Sequence, residues 1–394
     1  MTTKRIANVL NVVILAAAAV AGAAVASEES YGLKPIFDAA EFYGNKESDV
    51  FQSIAFTGRL HGDLYSFSDN DDNKLEDAVW RRFRFGAKAE IFQDFTLHTE
   101  MDLDMNEADS GQWDKFYLRL TDSYIKWDKY EEATVKVGKQ SAGFTLDGAT
   151  SSKKLITPER NIVAGNFWFG TEYFTGTSVY GDIDEWNYKA GLFSASGEAE
   201  YGHFDSGYFG LFSLGRKTGE KGDLRLDYVY NDPDYSSSHS DYKGGNAVGT
   251  ANHDHVLALV YEQMLSDRLG VRSDIAASQG IKDNSNGIDQ SDLVGLSITP
   301  FYNFTDDLQL VVQYAGVTSL EGDADVQMSR YAYRNADKTK AETAHNILLG
   351  FNWYIYGNKL KWQNAVEYSY AENMRSAGDD YHGYGFTSAL RLSW

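Results

Sequence analysis

Apolar and polar residues alternate with a period of two along most of the chain after residue 50. In the clearest stretch, residues 95–104, one face carries mostly apolar side chains: Phe95, Leu97, Thr99, Met101 and Leu103. The opposite face carries Glu100 and Asp102. This period predicts β-strands whose two faces meet different solvents. Residues 382–394 alternate in the same way up to Trp394, which is typical of a strand that closes a barrel in lipid; the alternative is the last strand of a soluble sandwich.

Sixteen stretches have the pattern or composition of strands: 51–67, 77–91, 94–105, 115–128, 132–139, 168–180, 184–194, 206–216, 221–230, 254–264, 267–277, 292–303, 306–316, 343–356, 359–371 and 382–394. The links after strands 2, 4, 6, 12 and 14 are short. Most links after odd-numbered strands are long and polar, among them 69–73, 140–167, 231–253, 278–291, 317–342 and 372–381. This alternation indicates an all-β protein, a transmembrane antiparallel β-barrel with short periplasmic turns and long external loops. We predict sixteen strands, with fourteen or eighteen as the alternatives.

The amino terminus has the three parts of a signal peptide. Lys4 and Arg5 precede an apolar, alanine-rich run, and residues 24–26 form an A-x-A cleavage site before Ser27. We therefore divide the chain into a signal peptide (1–26), a periplasmic lead-in segment (27–50) and an outer-membrane β-barrel (51–394). No other apolar run approaches the ~20 residues that a membrane helix needs.

Charge and composition exclude several classes of protein. After removal of residues 1–26 the chain keeps 34 basic and 57 acidic residues, a net charge of −23. This balance argues against nucleic acid as a partner, because a nucleic-acid-binding protein neutralises phosphates with Lys and Arg. Cysteine is absent, so disulfides and thiolate chemistry are not available. The 26 Tyr and 36 Gly with only 4 Pro suit strands with aromatic girdles.

A barrel of about sixteen strands leaves an aqueous lumen, and its polar register is charged. On the second strand Arg82, Arg84 and Lys88 face inward if the alternate residues face lipid, and Arg59 and Lys136 lie on the polar registers of their own strands. Two interpretations remain open at this point. These residues form salt bridges that stiffen the wall, or they select ions.

Metal and catalytic sites find little support in the sequence. His253-Asp254-His255, with His239 nearby, has no known zinc spacing, and the acidic run 69–73 lacks the glycine and final Glu of a calcium loop. Neither G-x-S-x-G nor G-x-x-x-x-G-K-[ST] occurs. We therefore predict no cofactor, no metal and no catalytic residue, and we do not expect an enzyme.

Three segments resemble a known family: LTDSYIKWD (120–128), TVKVGKQSAGFTLDGATSSKKLITPERN (134–161) and LLGFNWYIYGNKLKWQNAVEYS (348–369). They are similar to the phosphate-selective porins O and P. The resemblance implies a trimeric, sixteen-stranded outer-membrane channel whose third loop folds into the lumen and whose arginines and lysines guide anions. A net charge of −23 is unusual for an anion guide, although external loops hold much of the acid.

The resulting expectation is an outer-membrane porin, a passive channel for small hydrophilic solutes that favours anions such as phosphate. The long link 140–167 is the expected constriction; without the resemblance an ordinary surface loop is the alternative. The candidate residues for the constriction and anion guidance are basic: Lys153, Lys154, Arg160, Arg82, Arg84, Lys88, Lys136 and Arg59. The expected partners are small anions or other polar solutes, outer-membrane lipid and two further copies of the chain. The alternative functions are a barrel hydrolase acting on lipid and a structural or adhesive barrel.

Overall fold

The computed structural model describes residues 32–106, 113–237, 248–375 and 380–394. In these ranges sixteen long strands form the barrel: β1 Phe51–Asp69, β2 Lys74–Ile91, β3 Phe95–Leu103, β4 Tyr117–Tyr130, β5 Ala133–Ser141, β6 Tyr173–Ile183, β7 Trp186–Ser194, β8 Gly207–Lys217, β9 Gly222–Pro233, β10 His253–Met264, β11 Leu269–Gly280, β12 Leu293–Asn303, β13 Leu308–Ser319, β14 Thr343–Asn358, β15 Leu360–Glu372 and β16 Tyr381–Ser393. The short helices are α1 Lys34–Asp38, α2 Leu146–Ala149, α3 Ile162–Phe167 and α4 Arg330–Asn335.

Each barrel strand pairs antiparallel with its neighbours in sequence, and β16 pairs with β1 from Gly383↔Asp69 to Ser393↔Arg59. The last residue completes this ladder, because Gly58 and Trp394 exchange two backbone hydrogen bonds of 3.2 Å. A Cβ on Gly58 would come within 2.5 Å of the Trp394 indole, so this contact requires glycine. The closed ladder leaves no free edge, which is the condition for a sheet to span a bilayer. The predicted sixteen-stranded barrel is confirmed.

The two faces of the wall differ as the alternation predicted. Outward positions on β10–β14 carry large aliphatic side chains that are 41–51% exposed: Leu257, Leu259, Ile275, Leu296, Ile298 and Leu349. Their inward neighbours are buried; Asp274 and Ser297, for example, are at most 1% exposed. An apolar surface of this extent on the outside of a barrel suits hydrocarbon.

The links alternate between short and long, with two departures from the expected bounds. The first link, expected among the long polar stretches, is a tight turn of residues 70–73, because β1 and β2 extend to 19 and 18 residues. Asp69 caps this turn by accepting from the backbone N–H groups of Asp71 and Asn73. The sixth strand begins at Tyr173 rather than at residue 168, so the link before it is longer than expected.

The described part of the lead-in lies against the start of the barrel. Helix α1 precedes a short strand, Glu41–Gly44, which pairs antiparallel with the first residues of β1. Phe37 of α1 stacks on Tyr356 with ring centroids 4.9 Å apart. The signal peptide falls in residues 1–31, outside the described ranges, so the division of the chain at residues 26 and 50 stays a prediction. None of the helices in the described ranges is both long enough and apolar enough to cross a membrane.

Candidate functional site

The link between β5 and β6, residues 142–172, turns into the barrel and is called here the inner loop. Its apolar side chains are among the most buried of the described residues, including Phe144, Val163, Phe167 and Phe169 at 0–1% exposed. Helix α3, capped by the Asn161 side chain, packs against the inward faces of β11, β12 and β13. The loop therefore enters the lumen because the wall offers its apolar residues a surface to cover.

Hydrogen bonds fix the inner loop to the distant wall. Asp227 on β9 and Asp274 on β11 accept from the backbone N–H groups of Thr145 and Leu146, at 2.9 and 3.0 Å. On the other side of the lumen, Lys361 donates to the carbonyl oxygen of Leu155 at 2.6 Å. Asn352 and Arg391 donate likewise to the carbonyl oxygens of Ile156 and Pro158. The loop thus reaches strands around most of the barrel, and the predicted folding of the third loop into the lumen is confirmed.

The wall stays closed where the inner loop leaves it. Strand β5 pairs with β4 only from Lys139↔Ser123 towards the periplasmic end, because the chain turns inward after Ser141. Beyond that point the backbone N–H of Leu120 donates to Ala199 in the link 195–206. That link also supplies carbonyl oxygens to the Lys139 ammonium. A second segment thus satisfies the backbone edge that the inner loop exposes.

A second loop also enters the lumen. Residues 320–342 link β13 to β14 and carry α4, whose Tyr331 is 3% exposed. The Tyr331 ring stacks on Tyr65 at 4.0 Å, and its hydroxyl donates to Asp63 on β1. Asn166 of the inner loop donates to Gln327 and accepts from its backbone N–H, so the two loops are joined. From the sequence, residues 317–342 were expected to form an external loop, so the entry of this loop into the lumen was not predicted.

Opposite the inner loop stands a cluster of arginines on β1, β2, β4 and β16, called here the arginine wall: Arg59, Arg82, Arg84, Arg119 and Arg391. These five arginines are only 1–6% exposed. The inner loop presses against them, since Arg59 donates to Ser152 at 2.8 Å and Arg84 to Glu172 at 3.4 Å. The inner loop and the arginine wall are therefore in direct contact, and we call the part of the lumen around this contact the constriction.

The ion pairs around this wall are unequal in charge. Within the described residues they join eight arginines: Arg59, Arg81, Arg82, Arg84, Arg119, Arg160, Arg330 and Arg391. Their partners are five carboxylates: Asp63, Glu100, Asp102, Glu159 and Glu172. Three positive charges remain in excess. The network therefore contains both salt bridges across the wall and an excess of positive charge, so the two interpretations of the lumen charges are compatible.

Several buried side-chain nitrogens on the inward faces of β1 and β2 lack a hydrogen-bond partner in the part of the chain that the structure describes. They are both terminal nitrogens of Arg82, the Nε of Arg59 and both ring nitrogens of His61. Buried donors normally have acceptors, and leaving one unpaired costs about 1–3 kcal/mol. The inward faces of β1 and β2 thus carry buried nitrogens for which the described residues supply no partner.

Glu172 of the inner loop is held in its charged form. Burial alone would raise the pKa of Glu172, but Arg160, Arg84 and Arg119 outweigh it and hold that pKa below its usual range. The pKa of Lys153 is also lowered, but for a lysine a lower pKa favours the neutral form. Burial, aided by the charge of Arg59, lowers the pKa of Lys153 to about 8. The constriction therefore combines fixed charges with one lysine whose charge changes just above neutral pH.

The eight basic residues expected from the sequence occupy different places. Arg59, Arg82 and Arg84 belong to the arginine wall. In the inner loop, Arg160 stacks on Trp168 at 4.3 Å and bonds the carbonyl oxygen of Asp147, and Lys153 donates to the carbonyl oxygen of Trp394 at 3.2 Å.

The other three lie away from this group. Lys154 is exposed. Lys88 pairs with Glu90 about 13 Å below Arg84 along β2, and Lys136 lies over the Tyr124 ring near the periplasmic end of β5. The structure thus gathers five of the eight residues around the constriction, and their role in ion guidance stays a prediction.

Four arginines of the network are not among the eight residues expected from the sequence: Arg81, Arg119, Arg330 and Arg391, of which Arg391 lies on the polar register of its own strand. Arg81 joins it because β2 bulges there, opposite His61 and Gly62, and turns this residue inward. Arg119 joins it because β4 shifts its register between Asp122 and Leu120, at the point where the sequence pattern changes phase. Arg330 lies on α4 in a loop assigned to the exterior. For these three arginines, the change of phase in β4 was the only visible signal.

The candidate metal residues are not brought together. His253 faces the lumen and contacts the carbonyl oxygen of Asn166, whereas His255 faces outward against Tyr228. His239 lies outside the described residues. No group of three or more His, Cys, Asp or Glu side chains suited to a metal occurs within the described ranges.

Comparisons with known proteins agree with this geometry. The family model of phosphate-selective porin O and P matches residues 54–248. A search of curated proteins found no match. Among solved structures, the outer-membrane channel DcaP of Acinetobacter baumannii is similar with a TM-score of 0.58 and 13% identity, covering 87% of this chain and 97% of that one.

Two other solved porins are similar over most of their length. An anion-selective porin from Comamonas acidovorans has a TM-score of 0.59 and 11% identity, covering 87% of this chain and 99% of that one. OmpF of Salmonella typhi has a TM-score of 0.58 and 12% identity, covering 89% and 99%. These likenesses concern the fold. The family match over residues 54–248 confirms the resemblance found in the sequence, and with the closed barrel it supports an outer-membrane porin that is similar to the phosphate-selective porins O and P.

Proposed function

We propose that this porin is a passive channel that favours small anions, with phosphate as the anion it binds best. One observation carries the proposal, the excess of three positive charges in the ion-pair network at the constriction. Charges in a narrow lumen with low-dielectric walls act strongly on passing ions. The name of the matching family and the anion selectivity of the Comamonas porin agree with this choice of solute.

The net charge of −23 does not oppose the proposal. Many carboxylates lie at exposed positions on links and strand ends, such as Asp71, Asp72 and Asp289. Salt screens exposed charges over about 8–10 Å, whereas buried pairs are screened much less. An ion at the constriction therefore responds to the arginine wall more than to the acidic rim.

Phosphate block of a chloride current tests the solute. Single channels in a planar bilayer carry chloride while phosphate is added to both sides at constant ionic strength. We expect a saturable decrease of the chloride current, because a phosphate at the arginine wall offers several acceptors to unpaired donors. A chloride current that phosphate leaves unchanged, at concentrations up to that of chloride, would contradict the proposed preference.

Three further features belong to the proposal. The chain acts without catalysis, the outward aliphatic face contacts outer-membrane lipid, and three copies assemble, as the family resemblance implies. The signal peptide is cleaved before Ser27. Migration of unheated protein in detergent gels tests the trimer, and the mass of the mature chain tests the cleavage site.

A further inference from the structure

Glu159 of the inner loop stands where an anion would bind. Arg81 forms two hydrogen bonds to its carboxylate, one of them 3.0 Å between Nη2 and Oε2. Arg82 Nη2 lies 3.7 Å from Oε2, and Arg330 Nε lies 4.0 Å from Oε1. One carboxylate thus faces three guanidinium groups, which come from β2 and from α4. Two parallel hydrogen bonds to a guanidinium are the usual way in which arginine holds carboxylate or phosphate.

The carboxylate does not satisfy this cluster. Both terminal nitrogens of Arg82 remain without a hydrogen-bond partner among the described residues. Two of the three positive charges stay uncompensated when Glu159 is ionised. Burial alone would raise the pKa of Glu159, but Arg81, Arg82 and Arg330 hold that pKa well below its usual range, so the side chain is ionised at neutral pH. An oxyanion with more acceptor atoms than a carboxylate suits the same donors better.

Part of the cluster borders a small cavity between the two inward-folded loops, which is lined by Pro158, Glu159, Arg160, Arg330, Tyr331 and Glu367, among others. The Arg330 side chain is 40% exposed, against 16% for Arg81 and 4% for Arg82, so Arg330 is the most accessible of the three arginines. Glu159 itself is held to the wall through its side chain, since the loop around it bonds elsewhere through Pro158.

We infer that Glu159 is a tethered competitor for permeating anions, a specificity-determining carboxylate that occupies the site formed by Arg81, Arg82 and Arg330 and lowers its affinity for phosphate. The inference rests on the proposed function. The proposed role of Glu159 differs from a purely structural role, in which this side chain only holds the inner loop against β2. A tethered competitor weakens binding without closing the pore, so removing its charge strengthens anion binding selectively.

The test compares Glu159→Gln with wild type in the phosphate-block experiment. Gln keeps the shape of the side chain and removes its charge. We expect the phosphate concentration that halves the chloride current to fall at least fivefold. Glu76→Gln is the control of equal charge change, because Glu76 is an exposed residue of β2, the strand that carries Arg81 and Arg82. We expect it to leave this concentration unchanged. Glu159→Asp keeps the charge and is expected to stay close to wild type.

The outcomes separate the two ideas. If phosphate blocks wild type and Glu159→Gln equally, the inference is wrong and the proposed function stands. If Glu159→Gln raises potassium and chloride conductance alike and leaves phosphate block unchanged, Glu159 is a structural latch and the inference is again wrong. If phosphate fails to block wild type, the proposed function itself fails. Detergent-gel migration of each variant before and after heating confirms that it is folded before it is measured.

Discussion

Two adjacent lysines of the inner loop allow a matched test of the constriction. Lys153 is partly buried, and its ammonium donates to the carbonyl oxygen of Trp394 at 3.2 Å, near Arg59. Lys154 is exposed. Replacing either with Glu changes the net charge by the same amount, at positions one residue apart. Only Lys153→Glu is expected to change the selectivity for anions over cations.

The size of the effect follows from Coulomb's law. An ion passing about 6 Å from a unit charge has an interaction energy of about 0.7 kcal/mol at the dielectric constant of water, and about 2.8 kcal/mol at an effective value of 20. Lysine to glutamate changes the charge by two, so even the lower figure gives about 1.4 kcal/mol. This energy corresponds to about a tenfold change for each ion. The changes for anions and cations have opposite signs and add in the permeability ratio.

The assay is the permeability ratio of chloride to potassium, taken from reversal potentials in a salt gradient at pH 7. We expect Lys153→Glu to lower this ratio at least tenfold and Lys154→Glu to change it less than twofold. The effect at Lys153 decreases as total salt rises, since salt screens charges. Equal ratios in both variants and wild type would refute the placement of Lys153 in the ion path.

Three further predictions concern titration, the lipid face and the inner loop. Lys153 loses its charge as the pH rises through about 8, so the anion preference of wild type should fall between pH 7 and pH 9. A Lys153→Gln variant should lack that step in the same reversal-potential series. Leu349→Arg, on the outward face of β14, should lower the free energy of unfolding in lipid by about 2–4 kcal/mol, as urea titration measures, whereas Leu349→Ile should change it far less. Asn161→Ala removes the cap that accepts from Ala164 N–H at 2.9 Å and the bond to Ser297, and it should destabilise the inner loop by about 1–2 kcal/mol; faster hydrogen exchange confined to α3 would report this, and unchanged exchange would contradict it.

The barrel could be predicted from sequence because its physical cause is local. Each strand meets lipid on one side, so alternation is visible within ten residues, as in 95–104. The exceptions are also informative. Residues 254–264 are apolar on both faces because Val256 and Ala258 face inward into a hydrophobic cluster that the inner loop helps to form, and Val260 on the same face is also buried. Leu348 is an apolar residue on the otherwise polar inward register of β14, and it borders the cavity between the two inward-folded loops.

The site could be predicted only in part because it depends on contacts between distant residues. Register shifts of one residue decide whether Arg81 and Arg119 face the lumen, and no local pattern reports the bulge in β2. The entry of the 320–342 loop depends on the packing of Tyr331 against Tyr65, more than 260 positions apart. The polar composition of this loop is typical of an external loop, so the sequence did not indicate that Arg330 lies in the lumen. The partner of Glu159 likewise becomes visible only when the loop and β2 are placed together.

The sign of the wild-type reversal potential shows whether the positively charged constriction or the acidic rim sets the ion preference of the channel. In a tenfold gradient of potassium chloride at pH 7, an ideally selective channel gives a reversal potential of about 59 mV, with opposite signs for anions and cations. We predict the anion sign, because the constriction carries an excess of positive charge although the chain without residues 1–26 has a net charge of −23. A reversal potential of the cation sign would mean that the acidic rim governs selectivity, and it would contradict the proposed function.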